Sequence, residues 1–240
     1  MSPLPSRAAL RVVANLDLVE ADHKKSLALT SLRAILTSAG RGVCRPAEVE
    51  VLERAARSAA TSVPRSATVS DHSAVYSAAR SAAHSAAPAR SAISSAALSV
   101  GYSARSAERS ATGSAARSAA VSATLYDATQ AIDQLVQYPV WAGAEVPAAI
   151  AENHSAFLTY LDSHDDWRFW RRWYLEMWEG RFTDWDLAIE VAKIPDEVWD
   201  AGLSAVAEAI REIEARFRTN VSVPLVRNAA DTAFELADEA

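Results

Sequence analysis

The chain has 240 residues, half of them apolar, a net charge of −6, 7 glycines and 9 prolines, which is too few turn formers for an all-β protein. Its single cysteine, Cys44, excludes an internal disulfide and a multi-cysteine zinc site and favours a reducing compartment. No run of about 18 apolar residues occurs, and the opening Met-Ser-Pro-Leu-Pro-Ser-Arg lacks the charged-then-apolar order of a secretory signal, so no membrane span and a cytoplasmic location are expected.

Residues 7–20 and 22–39 read as helices; in the second, Leu27, Leu29, Leu32, Ile35 and Leu36 keep near-helical spacing and Gly40 is placed to close it. After a short loop with Gly42 and Cys44, Pro46 can start a third helix over 46–62, with Glu48, Glu50 and Glu53 in its opening turns against the helix dipole.

From Ser66 to Ser122 the sequence becomes a degenerate tetrad, x-Ser-Ala-Ala, whose serines recur every four residues and occasionally every three. A strand repeats every two residues and a helix near 3.6, so the segment is expected to be helical. The residue before each serine holds nearly all the bulk and charge, including Arg80, Arg90, Tyr102, Arg105, Arg109 and Arg117. The remaining methyls and hydroxyls suit close helix-to-helix packing. Ser91 to Ser122 covers 31 residues in eight steps, a period longer than 3.6 that implies a right-handed or splayed bundle. Pro88 divides the segment into expected helices of 65–87 and 89–137.

After Pro139 and a linker with Trp141, Gly143 and Pro147, helices are expected over 147–161, 164–179, 184–193, 203–218 and 224–238, with a short turn at Pro195 that holds Glu197 and Trp199 and stops at Gly202. Ser163 with Asp166, and Thr183 with Asp186, resemble capping boxes, and Gly180 can close the helix between them. The fold class is therefore all-α, a multi-helix bundle with a Ser/Ala-rich N-terminal part over 1–138 and a Trp-rich acidic part over 139–240, packed as one unit.

Charge is unevenly spread: +2 over residues 1–56, +5 over 57–126 and −13 over 127–240. A basic middle and an acidic second half can pack together or present an anion-facing surface. The arginines of the repeat are too sparse for a DNA-binding region, so nucleic acid is not an expected partner.

The most specific segment is 165–180, Asp-Asp-Trp-Arg-Phe-Trp-Arg-Arg-Trp-Tyr-Leu-Glu-Met-Trp-Glu-Gly. Its helix is aromatic nearly all round, which supplies either the core that alanine cannot or a recognition surface. For the second reading the binding residues are Trp167, Arg168, Trp170, Arg171, Arg172, Trp173, Tyr174 and Trp178. Glu176 and Glu179 read as surface ion-pair partners of Arg171 and Arg172. His154 and His164 flank Asp162, Asp165 and Asp166, yet without the tight spacing of a metal motif, and no metal or other cofactor is expected. No serine lies in a Gly-x-Ser-x-Gly elbow and no Gly-rich phosphate loop is present, so no catalytic residue is assigned.

The start of the repeat after Pro46, the block Trp167-x-x-Trp170-x-x-Trp173-Tyr174, Gly180 and the closing Ile-Pro-Asp-Glu-Val-Trp-Asp at 194–200 together resemble a group of alphaproteobacterial proteins with a Ser/Ala repeat followed by a W-x-x-W-x-x-W-Y block. The resemblance spans most of residues 25–215. It implies a bacterial origin and an all-α fold and carries over no catalytic residue. The expected function is a non-enzymatic helical interaction or scaffold protein that meets a protein partner or its own copy. The alternatives are an immunity-type or mobile-element-associated binder in a bacterial conflict system, and an enzyme with a dispersed site near His154 and His164.

Overall fold

The computed structural model describes residues 4–14, 21–62 and 135–221, together with Ala119, Ser122, Ala123, Tyr126, Asp127, Thr129 and Gln130. Among them are eight α-helices and no strand, so the chain is all-α. The helices are α1 (Leu4–Val13), α2 (Ala21–Val43), α3 (Val49–Ser62), α4 (Ala148–Asp162), α5 (Arg168–Glu179), α6 (Trp185–Ala192), α7 (Asp196–Asp200) and α8 (Leu203–Val221). The expected Ser/Ala helices of 65–87 and 89–137 and the helix of 224–238 lie outside the described residues, apart from the positions named above and 135–137. Of those, Leu135–Gln137 form a 3-10 turn rather than the end of an α-helix.

The centre of one side is α2, which packs against α1, α3, α6 and α8. Its residues from Leu27 to Gly40 are buried apart from Thr30, and many are small: Ala28, Ser31, Ala34, Ser38 and Ala39. Small side chains let neighbours approach closely, and Thr37 satisfies its hydroxyl on the Arg33 carbonyl of its own helix at 2.6 Å. The expected stop at Gly40 is not used. The helix continues to Val43, with Cys44 N–H donating to the Gly40 carbonyl, because Gly40 sits where a side chain would meet Ile189 of α6 at ordinary contact distance and its conformation is helical. Glycine ends a helix only where a left-handed backbone follows.

That left-handed stop does occur after α5. Gly180 has φ 69°, its N–H and that of Arg181 reach back to the carbonyls of Met177 and Glu176, and a Schellman cap results. A second reason demands glycine there: a Cβ would lie 2.3 Å from the carbonyl carbon of Tyr138. The end of α5 is thus pressed on residues 138–140, and Val140 N–H donates to the Trp178 carbonyl at 2.9 Å.

The two capping boxes read from the sequence are replaced by other bonds. Ser163 donates to the Tyr160 carbonyl and so closes α4, while His164 occupies the N-cap ahead of the 3-10 turn Asp165–Trp167 and accepts from Asp166 N–H. The Asp166 carboxylate turns instead to Ser204 and Arg211 of α8. Before α6 the N-cap is Asp184, without a side-chain cap bond, and Asp186 faces Arg45.

The buried apolar residues form one cluster that takes members from α1 to α8, with Trp167, Phe169, Trp170, Trp173, Tyr174 and Met177 of the aromatic segment among them. Three arginines are buried with this core. Arg7 and Arg11 of α1 share the Asp127 carboxylate, and Arg33 of α2 pairs with Asp196 of α7. Arg7 also donates to the carbonyls of Leu135, Tyr138 and Pro139, and Arg11 to that of Val140. Guanidinium, with five donors in a rigid fork, suits a turn rich in carbonyls that no helix satisfies.

Candidate functional site

Seen end-on, α5 sorts its residues by chemistry. Trp170, Trp173 and Tyr174 have no solvent exposure, Trp167 retains 2% and Trp178 is half-buried. The rings pack edge to face: Phe169 on Trp170 at 5.1 Å, Trp170 on Trp173 at 6.0 Å, and Phe157 of α4 on Tyr174 at 5.0 Å. This geometry matches the ring quadrupoles and adds to the area buried. The indole N–H groups of Trp141, Trp170 and Trp173 are enclosed without an acceptor among the described residues, a cost of about 1–3 kcal/mol each that the ring burial outweighs.

The arginines of the same helix face outward. Arg168 and Arg172 both reach Glu214 of α8, at 3.4 and 3.3 Å, and Arg171 pairs with Asp162 at the end of α4. Glu179 pairs with Arg181. The expected partnership of Glu176 and Glu179 with Arg171 and Arg172 is therefore replaced by pairs between elements, because the inter-helix grooves on either side of α5 bring Asp162 and Glu214 within reach. Arg168, Arg172, Arg218, Asp184 and Glu214 rim a groove of about 330 Å³ whose apolar wall is Leu187 and Phe217. Of the eight residues singled out in the sequence, this groove takes Arg168 and Arg172; Arg171 lies toward α4, Trp178 toward His154, and the other four are core.

His154 of α4 meets the buried Tyr174 hydroxyl through Nδ1 at 2.9 Å and stacks on Trp178, with centroids 4.2 Å apart. Burial holds the imidazole below its ordinary pKa, opposed by the charge of Glu179, and holds the Tyr174 hydroxyl well above its own. His164 has a different set of neighbours, Asp166 foremost. Among the described residues no group of three or more His, Cys, Asp and Glu side chains is arranged to hold a metal ion. The Cys44 thiol is half-buried and pushed above its usual pKa, chiefly by that burial, the reverse of an activated nucleophile. No helix among the described residues is long and apolar enough to cross a membrane.

Sequence reasoning missed Arg7, Arg11, Asp127 and Arg33. The first two lie four apart, on one face of α1 with Leu10 and Ala14 near them, and that spacing is their only local signal; their acceptor Asp127 is 116–120 residues away. Comparison with protein-family models, with curated proteins and with solved structures returns no match to this chain.

Proposed function

We propose that the chain is a non-enzymatic helical interaction protein that meets an acidic protein surface, its own second copy included, through the arginine-rimmed groove of α5, α6 and α8. The observation that supports this reading is the sorting along α5, in which the aromatics are consumed by the core while Arg168 and Arg172 are 68% and 45% exposed beside Leu187 and Phe217. Arginine beside a half-buried ring such as Phe217 is typical of contact surfaces, and the −13 charge of residues 127–240 makes another copy an electrostatically suitable partner. Burial works against a thiolate at Cys44, which disfavours a nucleophilic role there.

The test is light scattering of the full chain across the micromolar range, alone and co-expressed with the products of adjacent genes, beside the double variant Arg168→Glu/Arg172→Glu. Self-association or a stoichiometric complex that the double variant loses, and that weakens with salt, is the expected result. A chain that stays monomeric throughout and forms no such complex removes the reading.

A further inference from the structure

Arg33 projects from the centre of α2 with its side chain 2% exposed. Its guanidinium lies over the Trp199 ring, 4.6 Å from the centroid, and Nη2 donates to Asp196 at 2.5 Å. Nε is enclosed and has no acceptor among the described residues. Asp196 is the one acceptor that Arg33 meets among the described residues, so most of the five donors of a buried cation are unused. Burial lowers its pKa, and Asp196 and the charge of Asp200 oppose this, yet an arginine keeps its charge, and donors left unpaired in an apolar setting are costly unless an acceptor approaches them.

The same side chain forms part of the wall of a groove of about 530 Å³ between α2 and the corner joining α7 to α8. Leu29, Trp199 and Leu203 give it an apolar floor, and Lys25 stands exposed at its rim. Across from α2 is Gly202, at φ 96° with open space where a Cβ would be, followed by the first turn of the 19-residue α8. Val206 N–H is the first to find a carbonyl, that of Gly202, so the amides before it carry the positive end of the helix dipole. Ser204 Oγ is not free, since it donates to Asp166. Asp200 also lines the groove and sets a limit on how much negative charge it accepts.

We propose that this groove binds a small organic monocarboxylate with an apolar body. The carboxylate sits between Lys25, the part of the Arg33 guanidinium that lines the groove and the start of α8, and the body rests on Trp199 and Leu29. The volume falls within the range of about 300–1,000 Å³ usual for small-molecule sites, and Asp200 disfavours a multiply charged phosphate. The site is separate from the arginine-rimmed groove and stands whether or not that groove meets a protein.

Calorimetric titration of the full chain with hexanoate, benzoate and inorganic phosphate tests it, alongside Lys25→Glu and Thr30→Trp. Both positions are at the groove rather than in the core, so the variants are expected to fold; Arg168→Glu/Arg172→Glu serves as the control for the other groove. Saturable binding of at least one carboxylate is expected, weakened about tenfold by Lys25→Glu, abolished when Thr30→Trp fills the groove, and unchanged in the control. Failure of both carboxylates to saturate, parent-like affinity in both groove variants, or phosphate binding as tightly as the carboxylates would overturn the proposal.

Discussion

Arg11 Nη2 lies 2.6 Å from Asp127 Oδ2, with both side chains shut off from solvent. Arg7 holds the other oxygen of the same carboxylate at 2.8 Å. Two cations on one anion would be unstable in an apolar interior, and burial does lower the Arg11 pKa, with Asp127 countering it and Arg7 adding to it. The carbonyls of residues 135 and 138–140 supply the negative partial charge that makes the arrangement tenable.

Asp127→Asn is accordingly expected to destabilise the fold by about 3–5 kcal/mol, because it leaves two buried guanidinium groups with dipoles alone. Urea unfolding followed by tryptophan fluorescence measures this. The all-apolar triple variant Arg7→Met/Arg11→Leu/Asp127→Leu is also expected to be destabilised, unlike a simple buried ion triad, since it takes a charged donor from the carbonyls of Leu135, Tyr138, Pro139 and Val140. A triple variant as stable as the parent would show that those carbonyl bonds contribute nothing.

Gly180 and Gly202 both have positive φ but different surroundings. Gly202→Ala meets open space and should cost only the backbone strain, about 1–2 kcal/mol. Gly180→Ala adds a clash with the Tyr138 carbonyl group and should cost clearly more, with thermal unfolding as the readout. Equal costs would place the Tyr138 backbone farther away than described.

Stability should depend on pH through His154. Its folded pKa is held below the ordinary 6.5, so the unfolded chain binds the proton more readily; the contribution is complete above that value and is lost as pH falls through the folded pKa. Tyr174, Trp178 and Glu179 are the groups that bear on the ring, and only Glu179 opposes the trend. His154→Gln should flatten the difference in unfolding free energy between neutral and mildly acidic pH relative to the parent. An unchanged slope would refute the assignment.

Trp199 offers a test of the join between α2 and the aromatic core. Its ring carries Arg33 on one side and lies 6.0 Å from Trp170, and its Nε1–H donates to the Ile194 carbonyl at 3.0 Å. Trp199→Phe keeps an aromatic face but loses the donor, at an expected cost of about 1–3 kcal/mol. Trp199→Ala should cost about 3–5 kcal/mol. Arg172→Ala, by contrast, breaks a solvated pair with Glu214 and should change stability by less than about 1 kcal/mol.

Between residues 148 and 221, α4, α5, α6 and α8 are legible because periodic apolar residues and punctuating residues agree there: Pro147 precedes α4, Gly180 caps α5 and Gly202 precedes α8, whereas the five-residue helix α7 reads in the sequence only as a short turn after Pro195. What could not be read is how polar groups pair across the chain. Ser163 and Asp166 have the spacing of a cap, but Asp166 gains more from Ser204 and Arg211, which only the fold brings near. The eight-residue candidate set divides for a similar reason. A helix with rings on every face gives no periodic signal of which face is enclosed, whereas its arginines, too costly to bury unpaired, remained at the surface beside Asp162 and Glu214. Arg7, Arg11 and Arg33 break that rule because each found a carboxylate far along the sequence.

The reach of α1 sets a timetable for the nascent polypeptide. Leu4–Val13 leaves the ribosome more than a hundred residues before Asp127 and the carbonyls it grips, a lag on the order of ten seconds at usual translation speeds. A ten-residue helix is marginal by itself in water, so through that interval its two guanidinium groups lack their carboxylate, and only α2, which follows at once, can cover its apolar side. Docking of α1 on residues 127–140 therefore lags its own synthesis, and slower synthesis lengthens its exposure to chaperones and proteases.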